Sequence, residues 1–155
     1  MVIDKKINSA SVHLRRLDPL DVSLELLHFG FRGLTADADR YLETVGLSRV
    51  HHRILYIIAR TDGISVGDLA ATLGVSTQAL HRPLGHLQVR ELVGHSRDPQ
   101  RHRFKLLALT EQGREVEQTA TNHERNAIGA ALASTSPDGQ DAWQLVMQQL
   151  AERLN

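Results

Sequence analysis

Leu20, Leu24, Leu27, Phe31, Leu34, Ala38, Tyr41 and Val45 follow one another at alternating steps of four and three residues. That spacing writes a heptad-like apolar seam along one helix. Asp18-Pro19 supplies the start, because aspartate can cap orphan amides and proline at the first helical position loses nothing by lacking an N–H. Gly46 supplies the stop. At roughly 1.5 Å per residue such a helix is about 40 Å long, more than one small lobe can cover. The economical expectation is a partner helix from a second copy of the chain.

Short capped segments follow. Ser48 is expected to cap a helix carrying Val50, Ile54, Ile57 and Ile58 on one face, ending near Thr61-Asp62-Gly63. Ser65 with Asp68 three residues on resembles a capping box and opens a short helix with Val66, Leu69, Ala70 and Leu73 inward. Gly74 ends it, and Ser76 caps the next, with Leu80, Leu84 and Leu87 inward. LVGHSR and RFKLLALT then read as strands around the polar, proline-bearing DPQRH, a hairpin wing. Thr110 caps a long helix from Glu111 to about Ala133, and Ser136-Pro137-Asp138 starts a last one that should bury Trp143, Val146, Met147, Leu150 and Leu154. The predicted fold class is mainly α: a winged helix-turn-helix of about six helices plus a β-hairpin wing, with N- and C-terminal dimerisation helices. With 155 residues and no linker, residues 1–155 should form a single domain. Within it, 47–110 is expected to form the winged helix-turn-helix lobe, and 18–46 and 111–155 the dimerisation helices.

Charge is distributed unevenly beneath a formal net charge of zero. Residues 48–110 hold nine Arg and Lys against four Asp and Glu, whereas 111–155 hold three against seven. A basic centre between acidic ends marks a charged binding face. The absence of cysteine excludes disulfides, thiol redox sensing, thiolate metal sites and cysteine nucleophiles. The N-terminal residues lack the apolar run of a signal peptide and no stretch has the length of a membrane span, so the expectation is a cytoplasmic protein with no membrane partner.

The segment SVGDLAATLGVSTQALHRPLGHLQVRELV, followed by DPQRHRFKLLALTEQG, resembles the MarR family of bacterial regulators. The most specific part is the wing running into Leu109-Thr110-Glu111-x-Gly113, with Arg103 six residues before Leu109. The resemblance covers nearly the whole chain from about Pro19. It implies a homodimer on double-stranded DNA with a pseudo-palindromic site, acting as a repressor released by a small organic ligand. It places the helix from Ser76 in the major groove, so that Ser65, Ser76, Thr77, Gln78, His81, Arg82, Arg101, His102 and Arg103 become the DNA-binding candidates. Glutamine can pair bidentately with adenine and arginine with guanine. Polar residues on one side of a helix also simply face solvent; the adjoining wing favours contact with DNA. The resemblance implies that Arg103 enters the minor groove. Where the family has aspartate two residues earlier, this chain has Arg101, and Asp98 is displaced by three positions. Pro83 removes a hydrogen bond to the Ala79 carbonyl, leaving either a packing kink or a bend that tunes groove entry.

The family resemblance also implies a ligand cleft, for which His28, Phe31, Arg32, His51 and His52 are candidates as polar or aromatic residues bordering an apolar seam. No cofactor and no metal site is expected: no His pair has the i, i+3 or i+4 spacing of helical zinc ligands. No nucleophile motif, P-loop or dinucleotide fingerprint points to an enzyme, and no catalytic residue is assigned. The alternatives are a metal-sensing regulator, whose ligands would converge from distant segments, and a winged-helix module that binds protein. The second would need an apolar recognition face, and this one is polar and cationic.

Overall fold

Cap residues explain where the backbone begins to coil. In the computed structural model, which describes residues 18–96 and 105–154, α1 (Pro19–Thr44), α2 (Arg49–Ala59), α3 (Val66–Leu73) and α4 (Thr77–Val89) precede strands β1 (Val93–His95) and β2 (Leu107–Leu109). Helices α5 (Glu111–Ala133) and α6 (Pro137–Ala151) and a 3-10 turn, Glu152–Leu154, complete the order. The hydroxyls of Ser65, Ser76, Thr110 and Ser136 accept the amides of Asp68, Ala79, Gly113 and Gly139 at 3.0, 3.1, 3.0 and 3.2 Å. Each satisfies one orphan donor of a helix start, an effect of about 1 kcal/mol.

Two caps carry a further contact. The Ser65 hydroxyl donates to Asp68 Oδ2 at 2.7 Å, so the pair closes between side chains; aspartate, one methylene shorter than glutamate, does not make the backward reach of a capping box. At α2 the Ser48 amide donates to His51 Nδ1 at 3.1 Å, a ring nitrogen standing where a carboxylate oxygen usually does.

The core gathers around α2. Ile54, Leu55, Ile57 and Ile58 pack with Leu69 and Ala70 of α3, Leu80, Leu84 and Leu87 of α4, Leu92, Val93 and Leu107 about the hairpin, and Val116 and Ala120 of α5. Val50, placed by periodicity on this face, is exposed, and Leu55 lies inside instead. The strands are antiparallel, Val93 opposite Leu109 and His95 opposite Leu107. Ile64 adds a bridge to Leu107, with Leu107 N–H donating to its carbonyl at 2.8 Å. The base of the wing is thereby tied to the turn between α2 and α3.

Two compact units divide the chain at Gly33 and Leu34, within α1. In the first, Leu20, Leu24, Leu27 and Phe31 are exposed. In the second, Thr35, Ala38 and Leu42 of α1 are buried, and Tyr41 and Val45 are partly so. Full burial of the last stripe does not occur within one chain: no α6 residue is buried, Trp143, Val146 and Leu150 are exposed, Met147 is half-buried, and Leu154 of the following turn is exposed. A stripe records that a face is apolar, not which chain covers it.

The Leu109-Thr110-Glu111-x-Gly113 element has a steric reason. Thr110 Oγ1 donates to the Glu91 carbonyl at 2.7 Å while accepting the Gly113 amide, which draws the start of α5 onto the end of the helix-turn-helix. A Cβ on Gly113 would lie 2.8 Å from the Leu92 carbonyl carbon and closer still to its oxygen. Since the obstacle is backbone, it cannot swing aside. Gly113→Ala is expected to destabilise the fold by about 3 kcal/mol, the upper part of the range for overpacking, read as a lower urea midpoint; an unchanged midpoint would refute the close approach.

Candidate nucleic-acid interface

The turn between α3 and α4 is built on one left-handed residue. Gly74 has φ +68°, where a side chain is strained, and Val75 N–H returns to the Ala70 carbonyl at 3.0 Å. Two residues later Ser76 restarts the chain as α4. Its inward residues Leu80, Leu84 and Leu87 are buried in the core, which leaves Thr77, Gln78, His81 and Arg82 exposed on the opposite side. Among the described residues no protein group hydrogen-bonds to the side chains of Gln78, His81 or Arg82, so their donors and acceptors face water. The helix runs on through Pro83 to Val89. Ser65 and Ser76 stand at the starts of α3 and α4, their hydroxyls engaged as caps. Arg101, His102 and Arg103 of the wing, with Asp98, lie outside the described residues.

Behind this face a polar chain links α2 to α5. His52 is buried, with Nε2 at 3.0 Å from Thr121 Oγ1. The Thr121 hydroxyl donates to Glu117 Oε1 at 2.6 Å, and Arg60 donates to the same oxygen at 2.8 Å. Glu117 is buried too, so Arg60 supplies the charge that keeps its carboxylate tolerable in the interior. The Arg60 guanidinium lies 3.4 Å above the centroid of the Tyr56 ring, a cation–π contact that orients it. Arg49 pairs with Asp39, and Arg90 donates to the Val45 carbonyl, tying the end of α1 to α2 and α4. Burial pushes His52 below the usual histidine range and Glu124 above the usual carboxylate range, Asp39 adding to the latter.

The ligand candidates fall in different surroundings. In the first unit His28 packs edge-on to Phe29 with centroids 5.2 Å apart, Arg32 lies over the same ring at 5.6 Å, and Phe31 is exposed. In the second, His51 faces His86 of α4 with ring centroids 4.9 Å apart, a pairing that sequence separation hid. Burial, then His86 and Arg90, lower the His51 pKa. His52, its neighbour in sequence, belongs to the polar chain. Among the described residues no group of three or more His, Asp or Glu converges to hold a metal ion, and no helix is long and apolar enough to cross a membrane. Sequence reasoning missed Arg60, Glu117, Thr121 and Glu124. The signal was present: Val116, Glu117, Ala120, Thr121 and Glu124 share one face of α5, and carboxylates within an apolar stripe call for buried partners.

Residues 45–103 match the family model described as MarR family. Over 139 residues the chain is 32% identical to the HTH-type transcriptional regulator PetP of Rhodobacter capsulatus, covering 87% of this chain and 81% of that protein. Solved structures with the same fold include the DNA complex of MepR from S. aureus, with TM-score 0.68, 18% identity and coverage of 84% of this chain and 96% of that one. Another is the Mycobacterium tuberculosis MarR family protein Rv2887 in complex with p-aminosalicylic acid, with TM-score 0.58, 23% identity and coverage of 81% and 95%.

The Ser76 cap sets where α4 begins and hence which residues its first turn presents. Ser76→Ala should cost about 1 kcal/mol, a loss of about 3 °C in melting temperature for a chain of this size. Ser76→Gly should cost only a few tenths of that energy, because glycine leaves the amides open to water. Equal melting of wild type and Ser76→Ala by circular dichroism would show that the hydroxyl contributes nothing to the helix start.

Proposed function

The chain belongs to the MarR family, and from that membership we propose that it is a homodimeric transcriptional regulator that binds double-stranded DNA in the cytoplasm and leaves it when a small organic ligand binds. One observation carries the reading. The first turns of α4 hold Thr77, Gln78, His81 and Arg82 outward on a helix whose other side is locked into the core, in a chain whose sequence goes on to the basic residues Arg101, His102 and Arg103. Rigid backing matters because base reading needs donors and acceptors held in register with the major groove. Gln78 and Arg82 have the bidentate geometries for adenine and guanine, and Thr77 and His81 suit base edges or phosphates. Arg101, His102 and Arg103 supply cationic charge for phosphates and the minor groove. Regulators of this type act by binding rather than by catalysis, and no residue is assigned a catalytic role.

Dimerisation rests on the terminal helices. The exposed Leu20, Leu24, Leu27 and Phe31 of α1 and Trp143, Val146 and Leu150 of α6 are too much apolar surface to leave in water. Covering them by a second copy produces a two-fold assembly with two α4 helices. The effector reading draws on Rv2887, whose complex contains p-aminosalicylic acid. Among the candidate residues His28, Phe31, Arg32 and His51 suit a small organic ligand better than His52, whose ring is buried and engaged. A ligand that favours the DNA-incompatible spacing about a hundredfold supplies about 2.7 kcal/mol of coupling, enough to release a site held near its midpoint.

Selection of bound sites from random duplex DNA should return a pseudo-palindrome with half-sites about 34 Å apart. On that site Gln78→Ala should cost about 1–3 kcal/mol and relax preference at one position in each half-site. Arg103→Ala should weaken binding to every sequence and lower its salt dependence. Absence of any selected motif would refute the proposal, and equal loss on all sequences from Gln78→Ala would assign that residue to phosphate. Sedimentation at micromolar concentration should show a dimer, dissociated by Leu24→Glu with Leu27→Glu; a monomeric wild type would refute the two-fold assembly.

A further inference from the structure

His52 Nδ1 faces Glu124 Oε1 at 3.6 Å, and the hydrogen bonds around the pair determine what lies between them. Thr121 has one hydroxyl proton, directed at Glu117 Oε1 at 2.6 Å. Its oxygen therefore accepts from His52, and Nε2 at 3.0 Å carries the proton. In the neutral ring this leaves Nδ1 as a lone pair facing a carboxylate oxygen. At 3.6 Å the two atoms are not hydrogen-bonded, and they oppose each other as acceptors unless one of them, the carboxyl or the ring, holds a proton.

We propose that His52 and Glu124 form one shared proton-binding site across the α2–α5 contact, whose occupancy sets how firmly the helix-turn-helix lobe is held to the long C-terminal helix. The surroundings favour a single shared proton. His52 is almost fully buried, which disfavours the doubly protonated ring, and Glu124 is three-quarters covered, which disfavours the bare carboxylate. The charges facing the pair are Asp39 from α1, Arg49, Arg53 and Arg60 from α2, and Glu117 from α5. From α4, His86 and Arg90 act on His51 at the start of α2. On α3, Asp68 is exposed and held by Ser65. β2, which also packs on α2, has no titratable side chain.

The two groups pull stability in opposite directions. Glu124 is raised by burial and by Asp39. The folded chain thus keeps its proton longer than the unfolded one, and that contribution is lost as pH rises through the folded value. His52 is lowered by burial. The unfolded chain thus takes a proton first, and stability declines as pH falls below the ordinary histidine value of about 6.5. The two contributions act through one proton, held by either group, so the titrations of His52 and Glu124 are coupled across the α2–α5 contact.

The test is a pH titration of the full chain by long-range 1H–15N and 13C NMR, which needs no DNA and stands apart from the regulatory reading. Wild type should show the Nε2–H tautomer of His52, with the His52 ring and the Glu124 carboxyl carbon moving at common midpoints. Glu124→Gln, close in shape and able to donate to Nδ1, should lower the His52 midpoint by about one unit, the scale of coupled sites. It should also flatten the fall of melting temperature on the alkaline side. An Nδ1–H tautomer, or independent midpoints in wild type, would overturn the proposal without any variant. A His52 midpoint unmoved in Glu124→Gln would do so as well.

Discussion

The carboxylate of Glu117 is the group around which the lobe is arranged. It is buried between α2 and α5, with Arg60 on one side and the Thr121 hydroxyl on the other. Stranding a buried charge by removing its partner costs about 3–5 kcal/mol, so the two helices are joined in one register by a demand that an apolar contact would not make. α2 also packs on α3, α4 and β2. A helix held in register on α5 therefore fixes the remaining elements of the lobe, the exposed face of α4 among them.

That surface depends on where α4 starts rather than on how long it is. Gly74 makes the turn in a conformation other residues adopt at a cost, and the Ser76 hydroxyl ends the search for the first helical amide. Shifting the start by one residue would rotate the exposed face by about 100° and carry Gln78 and Arg82 away from their direction. At the other end Glu91, left-handed at φ +57°, turns the chain into the hairpin, and Leu92 N–H closes on the Leu87 carbonyl at 2.9 Å. Thr110 then holds this corner against α5 through the Glu91 carbonyl, with Gly113 allowing the approach. The position of strands β1 and β2 and the orientation of α4 are thus two results of one corner.

The terminal helices follow a different logic. Their caps and periodicity are as clear as those of the lobe, yet no residue of α6 is fully buried within its own chain. Such helices satisfy their backbone internally and leave their apolar faces exposed within one chain; where another copy covers such faces, stability becomes linked to concentration.

Sequence alone determined the elements, because caps, turn glycines and apolar periods are local. Ser65, Ser76, Thr110 and Ser136 start helices, Gly74 makes a turn, and Leu80, Leu84 and Leu87 face inward as their spacing requires. The outward position of Thr77, Gln78, His81 and Arg82 follows from the same period. Local rules were less reliable at helix margins, where Val50 turned out and Leu55 in. Only the tertiary structure decided which distant residues meet. Nothing within a few residues of His52 shows that it joins Thr121, sixty-nine positions away, or that Arg60 answers Glu117 across fifty-seven. His51 and His52 are adjacent in sequence, yet the helix aims one at His86 and buries the other against α5. The physical reason is range: periodicity and capping act within a turn or two of the chain, whereas burying a charge becomes tolerable only when the fold has brought its partner to it.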